Sequence, residues 1–293
     1  MSIQGAERAP RTTISMEAAP AASLRILYRT VLGRLLLRLL ITRPITRLGG
    51  WYMKSRLSRR RIAPFIRENG IRMEEYEEAS YRSYNDFFTR KIRAGMRPID
   101  PDPAHLISPC DAKLSVFRLT EQTVLPVKGA PYTAEELLQD DALARRFANG
   151  WCFVFRLAVD DYHRYCFFDD GNGEACVRIP GAFHTVQPIA TDRLPVFHRN
   201  AREYRLLHTA HFGDVVQMEV GALMVGKICN HEGKDIFSRG EEKGYFEFGG
   251  STVLLLFQQD AVLPDEELCR NTEQRLETVV RQGERVGIVP QTP

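Results

Sequence analysis

The stretch EKGYFEFGGSTVLLLF, Glu242 to Phe257, sets two glycines and two hydroxyl residues in front of an apolar run. Val253 to Phe257 is short, aliphatic and bounded by glycine, the pattern of a buried strand. A glycine pair before a strand ordinarily makes a turn. The pair also has a chemical reading. Without side chains at 249 and 250 the backbone can adopt strained geometry, and the Gly250 carbonyl lies open to the Ser251 hydroxyl. Attack there is an N-to-O acyl shift; the ester breaks by β-elimination, leaving an N-terminal dehydroalanine that hydrolyses to a pyruvoyl group. Such self-cleavage needs a base. A hydrolase-type nucleophile elbow is excluded, because position 253 is Val where that motif needs Gly and the order is turn then strand.

Further strand-like runs precede this one: AHLISPCDAKLSVFRL (104–119), VLPVKG (124–129), WCFVFRLA (151–158), EACVRIPG (174–181) and DVVQMEVGALMVGKIC (214–229). Between them YTAEELLQDDALARRFANG (132–150) reads as helix, with a Thr133/Glu136 capping box and an Asn149-Gly150 stop. SYNDFFTRKI (83–92) offers Ser83 and Asn85 as caps of a short helix carrying Phe87 and Phe88. The expected class is α+β: a basic helical N-terminal part, then a β-rich core whose last long strand begins at Ser251. The expected divisions are a disordered tail at 1–23, a helical, membrane-associating region at 24–100 and a catalytic core at 101–293.

Charge sharpens the N-terminal reading. The 293-residue chain is 44% hydrophobic and carries +3 overall. Residues 1–61 hold thirteen Lys and Arg against Glu7 and Glu17, a local +11 that leaves −8 for the rest. From Leu24 to Gly50 the arginines alternate with Leu, Ile and Val, and Trp51 and Tyr52 follow. Apolar stems with interfacial aromatics suit a segment lying on an anionic bilayer rather than a nucleic-acid groove. Arginine recurs too often for a membrane span, which needs about 20 mostly apolar residues. Arg90, Lys91 and Arg93 are candidates for the same lipid-facing surface. The expected location is peripheral, on the cytoplasmic face of the cell membrane.

Six cysteines without CxxC spacing read as reduced thiols. His208 and His211 are three apart but lack a carboxylate cluster, so no metal is expected; His105, His198 and His231 read as surface or structural.

YNDFFTRKIRAGMRPID (84–100), SPCDAKLS (108–115), DDYHRY (160–165), RIPGAFHTVQPIA (178–190), VGALMVGKI (220–228) and GEEKGYFEFGGSTVLLLF (240–257) together resemble the phosphatidylserine decarboxylase proenzymes, across most of the chain from about 24 to 260. The resemblance implies cleavage between Gly250 and Ser251, giving a β chain of 1–250 and an α chain of 251–293. It implies a pyruvoyl group from Ser251 as covalent cofactor, a Schiff base with the serine headgroup of phosphatidylserine, and release of CO2 and phosphatidylethanolamine. A homodimer is compatible with it. Two other readings stand beside it: a pyruvoyl-dependent decarboxylase of a soluble amino acid, and a membrane-binding relative that does not mature.

Site roles follow residue by residue from the same resemblance. Asp111 matches the aspartate of the self-cleavage triad, expected to orient an imidazole beside Ser251. His163 matches the first histidine of the family's His-Arg-x-His motif, tied to proton handling in decarboxylation. The second histidine, the triad base, is replaced: the chain reads His163-Arg164-Tyr165-Cys166. A thiol is a different base with a different geometry. The imidazole is then expected from His163, serving both stages, or from His184, with His163 ranked first.

Overall fold

The computed structural model describes residues 10–16, 43–120, 122–127, 130–183, 198–221, 227–231, 233, 235–249 and 251–290. Along the chain run β1 (Thr13–Ser15), α1 (Arg43–Lys54), a 3₁₀ turn (Arg56–Arg61), α2 (Ile62–Glu68), α3 (Tyr84–Phe88), β2 (Ala112–Arg118), α4 (Ala134–Leu138) and α5 (Asp141–Arg146). There follow β3 (Trp151–Leu157), β4 (Arg164–Cys166), β5 (Gly171–Gly173), β6 (Val177–Ile179), β7 (Arg202–Thr209), β8 (Gly213–Val220) and β9 (Ile228–Asn230). Then come β10 (Ile236–Phe237), β11 (Glu242–Phe246), β12 (Ser251–Phe257), α6 (Glu266–Glu273) and β13 (Leu276–Val280), with a last strand at Arg285–Ile288.

The expected strand at Ser251 is β12, in the middle of a ten-stranded sheet of order β1-β13-β2-β3-β12-β8-β7-β5-β10, with β6 also on β7. Every described pairing is antiparallel. All seven β12 residues are buried because both faces are covered. Val253, Leu255 and Phe257 pack with Phe153, Phe155 and Phe168. Leu254 and Leu256 face the other way, in one cluster with Leu137 and Leu138 of α4 and Phe147 at the end of α5. Each such side chain contributes about 1.5–3 kcal/mol on leaving water. The first face is roofed by a three-stranded sheet, β9-β11-β4. Gly244 of β11 permits that packing: a Cβ there would sit 2.5 Å from the Cys229 carbonyl oxygen and 2.8 Å from the Tyr165 hydroxyl.

The fold is α+β as expected, with local corrections. Within the segment expected to be a disordered tail, Thr13–Ser15 forms an edge strand on β13. Its place is held by Arg11, which donates to Asp265 at 3.1 Å and pairs with Glu267. The helix expected over 132–149 divides in two. Thr133 and Glu136 make the capping box, but Gln139 turns left-handed at φ 52° and Asp140 caps a second helix by accepting from the Leu143 amide. Ser83 caps α3 by accepting from the Asp86 amide; Asn85 does not cap, and its side chain reaches the Phe248 amide instead. Arg90 is no part of a lipid-facing surface: it is buried, its guanidinium 4.3 Å from the Tyr76 ring centroid and 4.8 Å from that of Phe87. Arg93 is taken up by the Tyr76 carbonyl and Glu78. Residues 17–42, which carry much of the basic helical expectation, lie outside the described residues. Among the described residues no helix is long and apolar enough to cross a membrane.

Candidate active site

Ser251 opens β12 opposite Leu157 of β3 and is 1% exposed. Its Oγ has no hydrogen-bond partner among the described residues, and neither does Thr252 Oγ1 beside it. Buried hydroxyls are normally satisfied, and one that is not marks strain or chemistry. Just upstream, Gly249 has φ 143°, a conformation that L side chains rarely adopt. The cleavage partner Gly250 lies outside the described residues.

The segment leading into Ser251 is fastened at successive positions. The Phe246 amide donates to the His163 carbonyl at 2.9 Å, the Glu247 amide to the Lys227 carbonyl at 2.9 Å, and the Phe248 amide to Asn85 Oδ1 at 2.9 Å. Phe248 packs edge-on against Tyr84 and Phe88 of α3, at 5.1 and 5.2 Å between centroids. Phe88 in turn lies 3.9 Å from the His163 ring. One short helix therefore braces both His163 and the backbone three residues before Ser251.

His163 is fully buried, and its Nδ1 lies 2.9 Å from the Asp161 carbonyl oxygen. A carbonyl only accepts, so Nδ1 carries the proton; in the neutral ring the basic lone pair is on Nε2. Asp161 accepts from Lys113 Nζ at 2.6 and 2.7 Å and from the Ala158 amide at 2.7 Å. Burial pushes its carboxyl up to about 6, against the pull of Lys113.

Asp111 sits just before β2. Lys113, Arg156 and Thr252 form one cross-strand row over β2, β3 and β12. At about 4.8 Å per strand, the Asp111 and Ser251 backbones are on the order of 10 Å apart. Its carboxylate is held by Arg97, with Nε at 2.8 Å from Oδ1 and Nη2 at 2.6 Å from Oδ2, and by the Gln282 amide at 2.9 Å. No histidine is among its partners in the described residues.

Gln282 also hydrogen-bonds Cys166, so position 166 does lie beside the Asp111 end of the site. Burial pushes the Cys166 thiol up to about 12, against the hydrogen bond from Gln282. A thiol so far from ionising at neutral pH is no general base. His184 lies outside the described residues.

A second polar cluster fills the space between β8 and the β9-β11-β4 roof. Lys243 Nζ is 2.6 Å from Glu219 Oε2 and 3.1 Å from Asn230 Oδ1, with both charged side chains nearly fully buried. Burial raises the Glu219 carboxyl, and Lys243 opposes it.

A family model described as phosphatidylserine decarboxylase matches residues 84–288, from α3, which braces the cleavage segment, to the last strand. The chain belongs to the phosphatidylserine decarboxylase family. It is 47% identical over 265 residues to phosphatidylserine decarboxylase proenzyme 2 of Clostridium acetobutylicum, covering 90% of this chain and 91% of that protein. It is 38% identical over 277 residues to the proenzyme of Ruminiclostridium cellulolyticum, covering 92% of each. A proenzyme of Clostridium novyi is 38% identical over 270 residues, 90% of this chain and 92% of its own length. Within this family frame the structure brings His163 and the cleavage segment together through α3, and gives Asp111 an arginine.

Arg97, Lys113, Asp161 and Gln282 were not singled out from sequence. Gln282 is 171 residues from its partner Asp111. For Arg97, Lys113 and Asp161 a signal existed: they lie inside the motifs YNDFFTRKIRAGMRPID, SPCDAKLS and DDYHRY. Four of the other histidines face carboxylates, His105 with Asp100, His208 with Asp214, His211 with Asp169 and His231 with Glu242. No cluster suited to a metal ion occurs among the described residues.

Proposed function

We propose that this chain is a proenzyme that cuts itself between Gly250 and Ser251 and then decarboxylates phosphatidylserine to phosphatidylethanolamine. The observation that carries the reading is the buried Ser251 Oγ with no hydrogen-bond partner among the described residues, two positions after Gly249, whose φ of 143° L side chains rarely adopt. Such a hydroxyl gives up no hydrogen bond on attacking the neighbouring carbonyl. The residues fit a pyruvoyl group, since the group would be made from Ser251 itself within this buried, polar-lined end of β12. When formed, it supplies an electron-accepting carbonyl for loss of CO2. His163, its Nδ1 turned to the Asp161 carbonyl, is the base assigned to the proton transfers through Nε2. Burial on both faces of β12 keeps bulk water from the reacting carbons.

The substrate is a lipid, and α1 with the following turn supports access from an anionic bilayer. Leu48, Trp51 and Leu57 are all more than half exposed, beside Lys54, Arg56, Arg59, Arg60 and Arg61. Apolar side chains among cations suit the headgroup boundary. Peripheral attachment to the cytoplasmic face is the corresponding location.

Intact-mass measurement tests the first stage. Two chains broken at 250/251, the smaller starting with a keto group, are expected; a persistent single chain of 33.5 kDa would favour the non-maturing relative. Comparing phosphatidylserine vesicles with free amino acids tests the second. Turnover of free serine at the vesicle rate would sink the lipid assignment.

A further inference from the structure

We propose that the buried Lys113–Asp161 ion pair positions His163, fixing which ring nitrogen acts as base. The proposal rests on the decarboxylase reading above.

The acceptor that sets the His163 tautomer is a turn carbonyl, and an isolated turn would hold it loosely. Here the turn is closed on itself: the Asp161 amide donates to the Ala158 carbonyl at 3.1 Å, and the Asp161 carboxylate accepts from the Ala158 amide at 2.7 Å. Lys113 then ties both carboxylate oxygens to β2 at 2.6 and 2.7 Å. Lys113 is itself placed by the sheet, opposite Arg156, which is opposite Thr252. The ladder that fixes residue 252 therefore also fixes the oxygen that orients His163. From the other side Phe88 limits the ring at 3.9 Å. The ring, turned to the Asp161 carbonyl through Nδ1 and faced by Phe88, cannot change tautomer without giving up that carbonyl.

The charges around Asp161 come from three elements. Lys113 faces it from β2; Asp160 adjoins it on the turn; Arg156 approaches from β3 with its guanidinium already paired to Glu277 of β13. Cys110, before β2, is a buried thiol. The Asp161 carboxyl titrates at about 6 in the fold, above the ordinary carboxylate range, so the ion pair is intact above that pH and is lost as Asp161 protonates below it.

The test uses full-length Asp161→Asn and Lys113→Met. Self-cleavage is followed by intact mass, kcat and KM on phosphatidylserine vesicles across pH 5–8, and the His163 Nδ1–H by NMR of protein labelled with nitrogen-15 histidine. Expected are folded variants with kcat lower by about 10- to 100-fold, KM within about twofold, an altered acid limb and a His163 Nδ1–H that exchanges faster. Folded variants with the wild-type kcat, acid limb and Nδ1–H signal overturn the proposal. If neither variant folds, wild type decides: Nδ1–H exchange should quicken below about pH 6, and exchange equally slow at pH 5 overturns the proposal. A wild-type protein that never cleaves instead defeats the decarboxylase reading, and the NMR measurement still judges the ion pair.

Discussion

The two ends of β12 differ more than the two sides of the sheet. At its C-terminal end Leu254 to Phe257 are fully buried, and the Phe257 ring meets Phe153, Phe168 and Phe212 at 5.4, 5.7 and 6.0 Å. At its N-terminal end, two hydroxyls have no partner among the described residues, and three ion pairs each have at least one member on a strand of the same sheet: Lys113–Asp161, Arg156–Glu277 and Lys243–Glu219. A buried polar group without a partner costs about 1–3 kcal/mol, while each large apolar side chain at the other end contributes about 1.5–3 kcal/mol. The strand is anchored at one end so that the other can hold an unfavourable, reactive arrangement.

Ser251→Ala breaks the comparison most completely. It should abolish self-cleavage altogether, seen as one band by mass, while the melting temperature is unchanged or rises, since a hydroxyl without a partner is removed. At the opposite end Phe257→Ala should cost about 3–5 kcal/mol in denaturant unfolding, and whatever fraction stays folded should still cleave. A ranking in which Ser251→Ala destabilised more than Phe257→Ala would refute the division.

The buried ion pair sharpens the same contrast. Lys243→Met leaves Glu219 without its cation and should cost about 3–5 kcal/mol, whereas Lys243→Met with Glu219→Met should regain most of it. Burial holds the Glu219 carboxyl above its ordinary value. Protonation therefore relieves the single variant at low pH, and its deficit should be smaller at pH 5 than at pH 8. A deficit that does not change with pH would mean Glu219 is already neutral. The smallest effect is expected from Ser83→Ala, about 1 kcal/mol from loss of the α3 cap, with slower cleavage because α3 braces Phe248.

Much of this was legible in the sequence wherever the determinants are local. β12 is an aliphatic run after glycines, and the Thr133/Glu136 and Ser83 caps are side chains acting three residues away. What was not legible depends on distant partners. Thr13–Ser15 is a strand only because β13 offers it an edge. Arg90 looks like a surface cation until Tyr76 and Phe87 close over it. The candidate site divides in the same way: Ser251, His163 and Asp111 stand in motifs, but Arg97 and Gln282 reach Asp111 only through the folded chain. The break at Gln139 shows the limit of periodicity, since a continuous helical pattern is interrupted by one left-handed residue and a second cap.

β12 is paired over its whole length, in register with Trp151–Leu157 on one side and with Val215–Val220 on the other. A cut at 250/251 would therefore sever the chain without freeing either product, because the shorter piece is a central plank of the longer one's sheet. Refolding, however, changes order: the uncut chain finds this strand within itself, whereas cleaved pieces must meet in solution. Maturation would thus turn a concentration-independent folding reaction into a bimolecular one, and denatured mature protein should recover only in proportion to its concentration. Self-cleavage of this kind makes the folded state an inheritance from the precursor rather than something the finished enzyme can readily regain.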